Sequence, residues 1–115
     1  ATERIQQAQS ARDIYREFLN LSISKPEFAE PDYCAIKGTP NEAAYRNYVD
    51  YLLYTAEQTM DASPDWETTM RDHMTAHDQY LCAQGDWAAY PSNIRRLMTG
   101  YKAKHCASPQ QACGG

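Results

Sequence analysis

Two histidines, His73 and His77, stand four residues apart in a chain of 115 residues. Residues at that spacing share one face of a helix, so two imidazoles can converge on one point. Such a pair can chelate a metal ion or ligate a cofactor between helices. The apolar faces of the neighbouring predicted helices offer no further histidine or carboxylate to complete a ligand set. The chain does hold nine tyrosines, whose hydroxyls can engage buried imidazoles. Partly buried histidines hydrogen-bonded to tyrosine are therefore the expected arrangement, with a metal or cofactor site on His73 and His77 as the alternative. No cofactor is otherwise expected.

Four cysteines, Cys34, Cys82, Cys106 and Cys113, are the second chemical feature. Two disulfides would place the chain in an oxidising compartment, periplasmic or secreted. Zinc would need closer ligand spacing: no C-x-x-C occurs, and His105-Cys106 with Cys113 does not form a knuckle. The absence of C-x-x-C-H likewise argues against attached haem. Three pairings exist, and sequence alone does not decide among them. Helix geometry favours Cys34 with Cys82, because both fall at one pole of the expected fold, leaving Cys106 with Cys113.

These residues must be positioned by helices. Ala11, Ile14, Tyr15, Phe18 and Leu21 form a helical stripe within a first helix over 2–23, while residues 1–10 are polar nearly all round and are expected to fray, with an exposed stalk as the alternative. A connector with three prolines follows over 24–40, in which Ser24 and Glu27 have capping-box spacing that would let a turn of helix interrupt it. Thr39-Pro40-Asn41-Glu42 then starts a second helix: Thr39 as cap, Pro40 in the first turn, Glu42 reaching back to the Thr39 amide. Tyr45, Tyr48, Val49, Leu52, Leu53, Ala56 and Met60 give it one apolar face, with Tyr51 and Tyr54 off that face. Ser63-Pro64-Asp65 opens a third helix expected to run unbroken to about Cys82, with Trp66, Met70, His73, Met74, His77, Tyr80 and Leu81 on one arc. A fourth, shorter helix carries Ile94, Leu97, Met98 and Tyr101, and an irregular tail occupies 104–115. No segment alternates with period two, so no strand is expected.

The fold class is all-α: a single helical domain over 1–115, a small antiparallel three- to four-helix bundle stapled by disulfides, with Trp66 and the tyrosines in its core. No apolar run reaches the roughly 18 residues of a membrane span. The net charge of -4 argues against nucleic acid. Residues 61–90 hold six acids and one base, whereas 91–115 hold Arg95, Arg96, Lys102 and Lys104 and no acid. The basic last helix is thus expected beside the acidic segment, with a basic surface for anionic lipid or an acidic partner as the alternative.

His77-Asp78, followed by Tyr80 and Cys82, resembles the helix of secreted phospholipases A2 over about six residues. The resemblance implies His77 as general base, Asp78 as calcium ligand and lipolytic activity. This chain departs from that pattern. It has Met74-Thr75-Ala76 where the family places a cysteine just before the histidine, and residues 61–70 contain no glycine for a calcium loop. No nucleophile elbow, phosphate loop, H-E-x-x-H or EF-hand loop occurs either.

The expected function is a non-enzymatic, extracytoplasmic interaction module: an accessory subunit or soluble domain of a membrane-associated bacterial assembly, in a peripheral or anchored membrane context. A protein partner is expected, with Tyr51, Tyr54, Trp87 and Tyr90 as the contact surface.

Overall fold

The computed structural model describes residues 2–84, 87–107 and Cys113. Among these residues there is no strand, and seven helices follow one another: α1 (Thr2–Ser24), α2 (Pro26–Ala29), α3 (Tyr33–Ile36), α4 (Asn41–Ala62), α5 (Trp66–Thr75), α6 (Asp78–Ala83) and α7 (Ser92–His105).

Helix α4 is the centre of the molecule because its apolar stripe is the longest. Tyr45, Tyr48, Val49, Leu52, Leu53 and Ala56 are all buried on it, as their spacing demands. Thr55 and Thr59 are buried beside them, and each hydroxyl donates to a carbonyl one turn back, Tyr51 O and Thr55 O, both at 2.8 Å. That bond satisfies a polar group that would otherwise destabilise the core. Helix α1 lies along α4: the Phe18 ring sits 5.7 Å from Tyr48, and Ser22 Oγ lies 2.7 Å from the Tyr48 hydroxyl. Met70 and Met74 of α5, Tyr80 and Leu81 of α6, and Ile94, Leu97, Met98 and Tyr101 of α7 join the same core.

Residues 3–10 are helical and exposed throughout, Ile5 at 71 %. Trp66 is only partly buried and packs edge-on against Tyr15 at 5.2 Å, so the tyrosines, not Trp66, fill the centre.

Local signals resolve differently from the sequence expectation at four points. Ser24 forms no capping box; α1 continues through it, and its Oγ donates to Asn20 O. Glu42 reaches back one residue further than expected, accepting from the Gly38 amide at 2.9 Å, while Thr39 Oγ1 accepts from Asn41 N. Gly38 has φ +81, where a side chain would be strained, so the turn before α4 requires glycine. An unforeseen turn, α3, carries Cys34 and is capped by Asp32, whose carboxylate accepts from Ala35 N.

The fourth difference matters most for the site. The third predicted helix is broken into α5 and α6 at Ala76 and His77. His77 has φ -115 and ψ 18, outside helical geometry, and its amide bonds Met74 O at 2.9 Å in a tightened turn.

The structure also overturns the favoured disulfide pairing: Cys34 bonds Cys113, and Cys82 bonds Cys106, with Cα separations of 5.1 and 5.5 Å. Helix α7 packs against α6, so that Cys106 at its end meets Cys82, and Lys102 Nζ reaches Gln84 O. Gln79 Nε2 lies near both Cys34 Sγ and Cys113 Sγ, at 3.1 and 3.8 Å. All four cysteines therefore gather at one end, and sharing a pole could not choose between partners. Two disulfides point to an oxidising, extracytoplasmic or secreted setting. Among the described residues no helix is long and apolar enough to cross a membrane.

Candidate functional site

At the helix break, His77 is buried. It is 2 % exposed, between the rings of Tyr45 and Tyr48, whose centroids lie 5.6 and 5.7 Å away. The Tyr45 hydroxyl stands 2.6 Å from His77 Nδ1. A neutral ring carrying its proton on Nε2 accepts the hydrogen of that hydroxyl. One turn earlier, His73 Nε2 lies 2.8 Å from the hydroxyl of Tyr15 on α1, and the His73 ring packs edge-on against Phe18 at 5.2 Å. Each imidazole is thus held by a tyrosine from a different long helix, as the sequence led one to expect.

Burial sets the electrostatics. Desolvation lowers the His77 pKa from 6.5 to about 4, with repulsion from His73 as the smaller cause. His73 is also lowered by desolvation, with Asp72 acting in the opposite sense. Tyr45 is raised, first by desolvation and then by the surrounding tyrosines, so its hydroxyl keeps its proton. Both imidazoles are neutral at neutral pH. Replacing Tyr45 with Phe leaves His77 Nδ1 buried without its partner. This substitution is expected to cost about 1–3 kcal/mol in urea unfolding, and Tyr15→Phe less, because His73 is half-buried and water can replace the lost hydroxyl. Equal costs would show that burial does not govern the pair.

A cleft of about 260 Å³ opens beside the pair, lined by Ser22, Glu30, Tyr48, Asp72, His73 and His77 among others. No group of three or more His, Cys, Asp or Glu suited to a metal ion occurs among the described residues. The phospholipase-like carry-over needs an accessible His77 and a free Asp78 carboxylate. Here His77 is enclosed, and Asp78 accepts from the hydroxyl of Tyr101 on α7. That contact, with desolvation the larger cause, raises the Tyr101 pKa.

No protein-family model, curated protein or solved structure matches this chain significantly. Its function has to be argued from its own surfaces.

Of the four aromatic residues expected at a contact surface, the structure leaves one well exposed. Tyr54 is 56 % exposed. Tyr51 is half-buried against Phe18, with its hydroxyl 3.4 Å from Glu17 Oε2. Trp87 and Tyr90 instead pack on the core and on each other, with centroids 5.0 Å apart, and Tyr90 donates to Asp50 Oδ1 at 2.7 Å. The segment before α7 is thereby fastened to the middle of α4 through Tyr90 and Asp50.

Sequence reasoning missed a shallow groove lined by Leu21, Lys25, Phe28, Ala44, Tyr48 and Tyr51, with Asn47 on its rim. Its signal was present but split: Phe28 sits in the connector, and Leu21 and Tyr48 had been assigned wholly to the core. On α4, Ala44, Asn47, Tyr51 and Tyr54 follow at helical spacing, so Tyr54 continues the groove by one turn.

Proposed function

We propose that this chain is a non-enzymatic, extracytoplasmic interaction module, an antiparallel helical bundle serving as accessory subunit or soluble domain of a membrane-associated assembly. The observation that carries this function is the seam between α1, α2 and α4. There Leu21, Phe28, Tyr48 and Tyr51 line a largely apolar groove, and Tyr54 stands exposed beside it. Tyrosine supplies a large, stiff contact area with a polar tip, which suits it to protein interfaces. An apolar side chain of a partner protein entering between Phe28 and Tyr51 would remove this surface from water. The order of packing along α1 and α4 supports the antiparallel arrangement. Ser22 and Phe18 meet Tyr48, while Gln7 and Ala11 border a cleft with Gln58 and Ala62.

The test is stoichiometric co-purification from the native membrane or secreted fraction, comparing wild type with Tyr54→Lys. Because Tyr54 lies on the surface, the substitution should leave unfolding unchanged within about 0.5 kcal/mol. It is expected to weaken a retained partner by about 2 kcal/mol or more, the scale of an aromatic hot spot. A monodisperse wild-type monomer that retains nothing, or a partner indifferent to Tyr54→Lys, would sink the proposal.

A further inference from the structure

We infer that the outward face of α7 is a binding surface for anionic lipid headgroups. The inference does not depend on the groove above, which lies on other elements.

The chain is acidic overall, at -4, yet no acid occurs beyond Asp86. Helix α7 buries Ile94, Leu97, Met98 and Tyr101 and turns the opposite side outward, where Arg95, Arg96 and Lys104 are exposed and Lys102 is half-buried. Helix α7 lies beside the acidic segment, as expected, with Asn93 and Tyr101 donating to Asp61 and Asp78, yet no ion pair joins its cations to that segment among the described residues. The ion pairs there lie within single helices: Arg16 with Asp13, Arg46 with Glu42, and Arg71 with Glu67.

The cations of α7 are spent differently. Arg95 donates to the carbonyls of Ala88 and Tyr90, and Lys102 to that of Gln84. Carbonyl oxygens fix the position of a cation without cancelling its charge. Arg96 and Lys104 make no ion pair among the described residues. At one edge of the face, Arg96 shares a cleft with Glu57, Asp61 and Glu67. There Asp61 already accepts from Asn93 and Glu67 already faces Arg71. The result is a helix face whose own charged residues are all cations, bordered by carboxylates only at the Arg96 edge, on a molecule of the opposite net sign.

The character of the strip favours lipid over protein. Between the cations the exposed residues are small, Thr99, Gly100 and Ala103. Protein interfaces centre on buried aromatic or arginine anchors; this face carries no aromatic residue or apolar chain to insert, and both its arginines are exposed. A layer of mobile phosphates needs only accessible cations at close approach. Each Lys or Arg near an anionic surface contributes about fivefold to partitioning.

The test uses the full oxidised chain and sedimentation with two vesicle types: phosphatidylcholine alone, and phosphatidylcholine mixed equally with phosphatidylglycerol. Binding is expected only to the anionic vesicles and should fade as salt is raised. The double variant Arg96→Ala/Lys104→Ala is expected to weaken it roughly 30-fold. The control Arg12→Ala/Lys37→Ala removes the same charge from exposed positions elsewhere and is expected to leave binding within about twofold. Circular dichroism checks that both variants fold. The inference is overturned by absence of binding to anionic vesicles at low salt, or by equal losses in the two double variants. It is also overturned if the α7 variant abolishes a salt-sensitive protein association while vesicle binding is absent, which would make the face a contact for an acidic protein.

Discussion

Lowering the pH from neutrality to about 4 is expected to remove roughly 3 kcal/mol of stability through His77 alone. In the unfolded chain this imidazole titrates near its ordinary 6.5, and in the folded protein desolvation holds it at about 4. Above pH 6.5 it is neutral in both states and contributes no pH dependence. Between 6.5 and about 4 the unfolded state binds the proton and the folded state does not, so unfolding becomes easier with each step of acidification. Below about 4 the loss is complete. The cost is one of solvation rather than of the Tyr45 hydrogen bond, since the hydroxyl can rotate to accept from a protonated ring. His73 adds to the effect in the same direction, because it is also lowered and a charge on either ring repels the other. Glu30 and Asp72 line the adjoining cleft and are the carboxylates placed to moderate it. Urea unfolding across this range checks the prediction against His77→Asn. That variant keeps an acceptor near the Nδ1 position, does not titrate, and starts less stable because it is smaller. Its curve should be shallower than that of wild type by the His77 share, keeping only the His73 contribution; parallel curves would show that His77 is not the acid-sensitive group.

The parts of this site that were legible from sequence are those fixed by helical periodicity. The stripe from Tyr45 to Ala56 is buried as its spacing required, and it delivers Tyr45 and Tyr48 to the histidines. Tyr15 arrives by the same rule from α1. The break at His77 was not legible, because nothing in Met74-Thr75-Ala76-His77 is a helix breaker. At the break His77 meets Tyr45 and Asp78 meets Tyr101, contacts between distant segments that no local pattern encodes. Periodicity also could not separate Trp66 from the tyrosines, since a residue at the start of an apolar arc can lie past the end of the core it points toward. The groove at Phe28 escaped for a similar reason. It is assembled from the connector and two helices, and no single segment carries its pattern. Charge was legible as placement but not as partners: the last helix does lie beside the acidic segment, where Asp61 and Asp78 are met by Asn93 and Tyr101 of α7 rather than by its cations.

An unreduced tryptic digest is expected to yield one species of three linked peptides. No Lys or Arg follows Lys104, so Cys106 and Cys113 share the last peptide, while Cys34 and Cys82 lie on separate peptides upstream. With Cys34 bonded to Cys113 and Cys82 to Cys106, the last peptide joins both others. The pairing favoured by helix polarity alone would give a two-peptide species and a last peptide closed on itself, an outcome that would refute the connectivity described above. The energetic consequence can be tested on the same protein. The Cys34–Cys113 bond spans 79 residues and the Cys82–Cys106 bond 24. Constraining the unfolded chain through such loops stabilises by about 4 and about 3 kcal/mol respectively. The second loop lies inside the first, so the two contributions overlap and their joint loss is smaller than the sum. Cys34→Ser/Cys113→Ser should therefore destabilise more than Cys82→Ser/Cys106→Ser in urea unfolding. Lost packing at Cys82 works against that order, because the shorter bond holds α6 against α7 in the folded state. If the Cys82 variant proves the weaker of the two, native packing rather than chain entropy dominates. The disulfide's principal work would then be to hold the Asp78–Tyr101 contact, and with it the backbone turn that carries His77 into the core.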